Sequence, residues 1–258
     1  MACRRVSRNF CQVADNFDAR GGNRRGPAHY FGRNERYLTR SVRIVLVKIE
    51  TAWNRIATGV RKFQTEVFPT QRPMFERLRN KQEPLALFVT CADARIVPNL
   101  FTQTEPGDIF IERNPGNMVP EYGEFVGGVT SGVEYANLVL KVPVIVICGH
   151  TDCGVMKALL HPETTAGLPG VQEWMRHGNE ARHAVLRDHA DCSDEEKTIR
   201  LAEANVLEQI AHLKTHPSVA SRLAAGEVMI RGWVYDIGNG SIRQADPETG
   251  EFAEFTGA

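Results

Sequence analysis

Apolar residues along the chain form two kinds of run. Val42, Ile49, Ile56 and Phe63 recur every seven positions, and Leu46, Trp53, Val60 and Val67 recur four residues behind them. This spacing puts one apolar stripe on a helix over 42–67. Gly59 is expected to break that helix and Pro69 to end it. A short helix is expected at 72–81. Pro84-Leu-Ala-Leu-Phe-Val-Thr-Cys91 and Val142-Pro-Val-Ile-Val-Ile-Cys148 are short and continuously apolar. That is the pattern of strands buried on both faces of a parallel sheet. Asp108-Ile-Phe-Ile-Glu112, after the Pro106-Gly107 turn, reads as another strand. Helices are expected at 123–141, 153–160, 170–190 and 193–215, the last opening on the capping box Ser193-Asp-Glu-Glu196. Val228-Met-Ile-Arg-Gly-Trp-Val-Tyr235 and Gly240-Ser-Ile-Arg-Gln244 read as a hairpin around Gly238-Asn-Gly240.

Strands alternating with helices predict an α/β fold. The expected form is a mostly parallel central sheet flanked by helices, with an N-terminal helical arm and an antiparallel edge hairpin. One domain is expected over 41–246, between a basic segment 1–40 and a short polar tail 247–258.

Composition adds limits. With 258 residues, 42% of them hydrophobic and 24% charged, the chain is long enough for one sizeable core. A formal net charge of +0 gives no electrostatic case for nucleic acid or membrane partners. No apolar run approaches the ~18 residues of a membrane span. The charge is uneven: nine arginines against Asp15, Asp18 and Glu35 leave residues 1–40 at +6 and the remainder at −6. That segment carries few aliphatics, and disorder is expected there. Its Arg-rich start lacks the apolar stretch of a secretory or twin-arginine signal. A cytoplasmic location is expected, with organellar import as the minor alternative. In a reducing compartment cysteines more often bind metal than form disulfides.

The strand ends carry the chemistry. Cys91 and Asp93 are expected just past the end of the first buried strand, and His150 and Cys153 just past the third. Carboxyl ends of parallel strands form the binding crevice of such sheets. Thiolate and imidazole together suit zinc, and three ligands leave a fourth position open, as in catalytic sites. Taken singly, each residue has a plainer reading: a buried small cysteine, a core histidine, a chance His-x-x-Cys. Their convergence, with Asp93 and Arg95 beside one of them, favours the metal. Cys148 is read as structural, and Cys3, Cys11 and Cys192 as incidental.

Cys91-Ala-Asp93-Ala-Arg95, Pro106-Gly107-Asp108-Ile-Phe110, Arg113-Asn114-Pro-Gly-Asn117 and Cys148-Gly-His150-Thr-Asp-Cys153-Gly154 together resemble the beta-class carbonic anhydrases. The resemblance runs from about residue 72 to 245. It implies interconversion of carbon dioxide with bicarbonate and a proton. It also implies one Zn2+ per subunit on Cys91, His150 and Cys153, which lowers the pKa of a bound water from 15.7 towards ~7. Asp93 would accept a hydrogen bond from the zinc-bound hydroxide, and Arg95 would orient Asp93. In a closed, inactive state Asp93 would itself bind the zinc. Gln82, Phe110, Tyr135 and the Gly154 amide would line the substrate pocket. The implied assembly is a homodimer or higher even oligomer, with the 42–67 helix wrapping a partner.

Two positions depart from the family pattern. Phe88 stands where some bacterial members use a tryptophan to bind inhibitory bicarbonate, and Pro115-Gly116 replaces a small or aliphatic pair. Two other functions fit the same residues. One is hydrolysis of carbon disulfide or carbonyl sulfide on the same scaffold; the other is a non-catalytic zinc-binding or redox-sensing protein. Loss of Asp93, Arg95 or Gln82 would support the second, and all three are present.

Overall fold

The computed structural model describes residues 40–124 and 127–257. The basic segment 1–40 falls outside these apart from Arg40. The chain divides into two units, Met1–Arg77 and Leu78–Ala258.

In the first unit, α1 spans Arg40–Lys62 and α2 spans Phe68–Leu78, joined by a π-helical turn over Phe63–Val67. This corrects two expectations: Gly59 lies inside α1 without breaking it, and the helix passes through Pro69. The π-turn is the physical reason. It lets the Phe68 amide reach back to the Phe63 carbonyl, and Pro69, which has no N–H to place, follows at once. Thr65 Oγ1 donates to the Arg61 carbonyl at 3.0 Å, satisfying another acceptor there. Phe63, Phe68 and Phe75 cluster over the turn, with Phe68 and Phe75 stacked at 5.2 Å. The expected helix at 72–81 is the end of α2 and stops at Leu78.

The second unit is built on β1 (Ala86–Cys91), β2 (Ile109–Asn114), β3 (Val144–His150), β4 (Met229–Tyr235), β5 (Ile242–Ala245) and β6 (Phe252–Glu254). Their order in the sheet is β2-β1-β3-β4-β5-β6. The first four strands run parallel, and β5 and β6 are antiparallel. The α/β fold with an edge hairpin is therefore as expected, with a further strand, β6, inside the segment read as a polar tail. Three residues, Phe252-Ala253-Glu254, carry too little periodicity to announce a strand.

Helices α3 (Pro98–Thr102), α4 (Gly128–Glu134), α5 (Gly154–Leu160), α6 (Pro169–Met175), α7 (Asn179–Asp188), α8 (Asp194–Thr215) and α9 (Pro217–Ala224) complete the unit. α4 begins later than its pattern suggests and continues as a π-turn over Tyr135–Val139. The expected 170–190 helix is split, because a 3-10 turn over Arg176–Gly178 separates α6 from α7. α8 begins with the full Ser193–Glu196 capping box.

β1 is buried along its whole length, and its side chains alternate between two clusters. Leu87 and Val89 join the main core with Ile145, Ile147, Met156, Leu201, Val206 and Leu213. Phe88 packs on the other face with Val146 and Cys148, against Phe101, Trp233 and Tyr235. That two-sided burial is what a continuous apolar strand requires.

Gly149, one residue before the end of β3, allows α8 to lie close. A Cβ there would stand 3.0 Å from Val206 Cγ2 and 3.3 Å from the Ala202 carbonyl oxygen. Gly149→Val is expected to cost about 1–3 kcal/mol by overpacking. A thermal unfolding scan reads this at roughly 2–4 °C per kcal/mol for a domain of this size. An unchanged midpoint would show that α8 moves aside freely.

Candidate metal centre

β1 and β3 are parallel neighbours, with Thr90 beside Cys148. Their carboxyl ends therefore emerge side by side. β1 ends on Cys91, where its apolar run ends, and β3 runs two residues past Cys148 to end on His150. Cys153 follows after a tight turn and caps the start of α5. The three side chains are buried, and their ligand atoms lie within 4.8 Å of one another. Tetrahedral zinc with Zn–S near 2.3 Å needs such atoms roughly 3.5–4 Å apart.

Their hydrogen bonds fit a metal. The Thr151 carbonyl lies 2.8 Å from His150 Nδ1, which assigns the ring proton to Nδ1. His150 Nε2 is then a buried lone pair with no hydrogen-bond partner. The Gly116 amide donates to Cys91 Sγ at 3.4 Å. Gly116 has a left-handed backbone, φ 75°, so the Pro115-Gly116 departure has a local role: it turns an amide toward the sulfur. The hydrogen bond from Cys153, with help from the Gly116 amide, pulls the Cys91 thiol down to about 4. Cys153 keeps the shared proton, and the Cys91 partner together with burial pushes its thiol well above the usual range. Cys148 is separate from this group. It packs in the aromatic cluster, where burial pushes its thiol up to about 12.

Asp93 is adjacent, and both of its oxygens are engaged. Arg95 Nε donates to Oδ1 at 3.0 Å and Nη2 to Oδ2 at 2.8 Å, and the Arg95 amide adds a bond to Oδ1 at 2.9 Å. These bonds hold the Asp93 carboxyl well below the usual carboxylate range. Two residues with no role assigned from the sequence complete the frame. Arg113, on β2, donates to the Cys91 carbonyl at 2.9 and 3.1 Å and to the Asp93 carbonyl at 2.6 Å. Asp152, between His150 and Cys153, accepts from Arg95 Nη1 at 2.7 Å. Their signal was charge at a strand end and inside a ligand turn, and several pairings were open to each.

The remaining predicted residues are placed as follows. Phe110 on β2 and Tyr135 at the end of α4 meet with ring centroids 6.0 Å apart. Gln82 is exposed, four residues ahead of β1. Gly154 is exposed and is the first residue of α5.

Comparison with known proteins fits this geometry. Residues 86–242 match the family described as carbonic anhydrase. The carbonic anhydrase of Pseudomonas aeruginosa is 43% identical over 197 residues, covering 76% of this chain and 89% of that protein. The solved structure of the beta-carbonic anhydrase CcaA superposes with a TM-score of 0.78 at 36% identity, covering 80% of this chain and 93% of that one. This chain belongs to the beta-class carbonic anhydrase family. As a carbonic anhydrase it is a lyase, and among the described residues Cys91, His150 and Cys153 form a group that could hold a metal ion. A further relative in structure is one of two tetrameric beta-carbonic anhydrases from Sordaria macrospora. It has a TM-score of 0.61 at 26% identity and covers 82% of this chain and 98% of that one. Among the described residues, no helix is long and apolar enough to cross a membrane.

Metal uptake at this centre should release protons. Burial and the Cys91 partner raise the Cys153 thiol, and a metal held by both sulfurs must displace the proton it keeps. Apparent zinc affinity is therefore expected to rise about tenfold per pH unit while that proton remains bound. Calorimetric titration of metal-free protein, in buffers of differing ionisation enthalpy, measures the released proton. A pH-independent affinity would mean that both thiols are already ionised.

Proposed function

We propose that this carbonic anhydrase hydrates carbon dioxide reversibly with one Zn2+ per subunit held by Cys91, His150 and Cys153. The carrying observation is the buried triad with an unpartnered His150 Nε2, set beside a carboxylate held ionised by Arg95. Zinc in such a site supplies Lewis acidity, bringing the pKa of a coordinated water towards neutrality.

The chain's own residues do the rest. Asp93 accepts a hydrogen bond from the attacking water and aims its lone pair at the carbon of the substrate. It can accept because it stays anionic, and Arg95 keeps it so. The contacts of both Asp93 oxygens with Arg95 support this accepting role; release by Arg95 would let it serve as a conditional metal ligand instead. Phe110 and Tyr135 present an apolar wall suited to a nonpolar gas. Gln82 and the Gly154 amide are donors for the oxygens of bicarbonate.

Stopped-flow carbon dioxide hydration with zinc-loaded protein tests this. Cys91→Ser should lose metal and fall to background. Asp93→Ala should retain zinc and lose roughly a hundredfold in kcat/KM, the scale of removing one preorganised polar group. No hydration by wild-type protein with confirmed zinc would overturn the reading.

The assembly read here is a homodimer or higher even oligomer, joined through α1. Ile49, Trp53, Ile56 and Val60 are each more than half exposed along one stripe of that helix, and uncovered apolar area of this extent supports an interface there. A doubly charged variant, Trp53→Glu with Ile56→Glu, is expected to give a smaller species in light scattering. An unchanged mass would place the interface elsewhere.

A further inference from the structure

Arg95 is gripped from two sides. Toward the metal centre, its Nε and Nη2 donate to the two oxygens of Asp93. Away from it, Nη1 donates to Asp152 Oδ2 at 2.7 Å, and Nη2 donates also to the Asp152 carbonyl at 3.1 Å. Nε, Nη1 and both Nη2 contacts account for four of the five N–H directions a guanidinium has.

Asp152 can offer carboxylate and carbonyl together because of its backbone. It takes a left-handed conformation, φ 58°, in the two-residue turn between His150 and Cys153. Asp and Asn tolerate that region better than other residues with a Cβ. The second oxygen of Asp152 is taken by Lys157, one turn into α5. Asp93, Arg95, Asp152 and Lys157 thus form a row of alternating charge along the rim. The outer part of that row lines an open cleft of about 830 Å³.

An exposed arginine with a single carboxylate partner exchanges readily among rotamers and water. Arg95 is 46% exposed, so its pair with Asp93 alone would be of that kind. A second anion on the opposite edge of the guanidinium changes this, since any swing toward solvent breaks contacts on both sides. We propose that Asp152 is a positioning residue: it fixes Arg95, and through Arg95 the Asp93 carboxylate, in the orientation the hydration reaction uses. This rests on the reading of Asp93 as the hydrogen-bond acceptor for the attacking water.

The test uses full-length, zinc-loaded protein with two substitutions on the same row. Asp152→Asn keeps a side chain that tolerates the left-handed turn and removes the charge. Lys157→Ala removes the competing cation and leaves Asp152 wholly to Arg95. Each is read by kcat/KM for carbon dioxide hydration and by a crystal structure locating the Asp93 carboxylate. Asp152→Asn is expected to lose about two- to fivefold in kcat/KM, the scale of a half-exposed ion pair, and to show Asp93 leaving its two-point contact with Arg95. Lys157→Ala is expected to keep both the rate and the contact.

Asp152→Asn with an unchanged rate and an intact Asp93–Arg95 pair would overturn the proposal. So would equal losses in both variants, which would point to the local field rather than to a hold on Arg95. If wild-type zinc protein shows no hydration, the functional reading fails by itself, and the Asp93–Arg95 contact in the two crystal structures still decides the role of Asp152.

Discussion

Two sulfur atoms and an imidazole nitrogen brought within 4.8 Å of one another, away from water, set the terms for the rest of this edge of the sheet. Burial opposes charge on each group, and two thiolates side by side oppose each other. The two sulfurs share a hydrogen bond, which lowers the Cys91 thiol and raises that of Cys153. A divalent cation removes both penalties at once, which no side chain could do in that space. Polar backbone around the centre prepares for it: the Gly116 amide toward Cys91, the Val155 and Met156 amides toward Cys153, and the Thr151 carbonyl holding the tautomer of His150.

Such closeness between residues 59 positions apart in the chain depends on sheet register. Thr90 lies beside Cys148, and its hydroxyl donates to the Cys148 carbonyl at 2.9 Å, tying β1 to β3 one residue before Cys91. A slip of one residue would turn every side chain of β1 to the other face and take Cys91 with it. The third parallel strand adds a further restraint. Arg113 at the end of β2 gathers the carbonyls of Cys91 and Asp93, so the loop that carries Asp93 is pinned to the strand that carries Cys91. Gly149 lets α8 close over the sheet directly beside His150. Cys91 and His150 are thus held by the sheet, and Cys153 by the turn into α5.

The parts of this arrangement that were legible in the sequence are those that follow from period and from ligand type. Two continuous apolar runs announced buried parallel strands, and soft donors at their ends announced a metal edge. The misses have physical causes. A π-turn is a backbone solution with no residue signature, so Pro69 was read as a stop when Phe63–Val67 had already made room for it. β6 is too short to show alternation. The roles of Arg113 and Asp152 depend on which carbonyls and carboxylates face them across strands, and a single charged residue in a sequence does not carry that information. Gln82 stands exposed ahead of β1, apart from the Phe110–Tyr135 pair, and its role rests on resemblance more than on contacts within one chain.

Exposure is graded across the site in a way that suits the proposed reaction. The ligands are buried, Asp93 is 20% exposed, and Arg95 and Asp152 are 46% and 52% exposed. The proposed hydration would deliver a proton to solvent in every turnover, so the reacting face would have to touch water while the three buried side chains stay dry. An acceptor as buried as Cys91 would be driven toward its protonated form and could no longer accept. An acceptor as open as Asp152 would be oriented only weakly, because water screens exposed ion pairs. Asp93 lies between these limits. The alternating charges outward from it let a carboxylate stay both ionised and still at the boundary between the dry ligand cluster and the wet cleft.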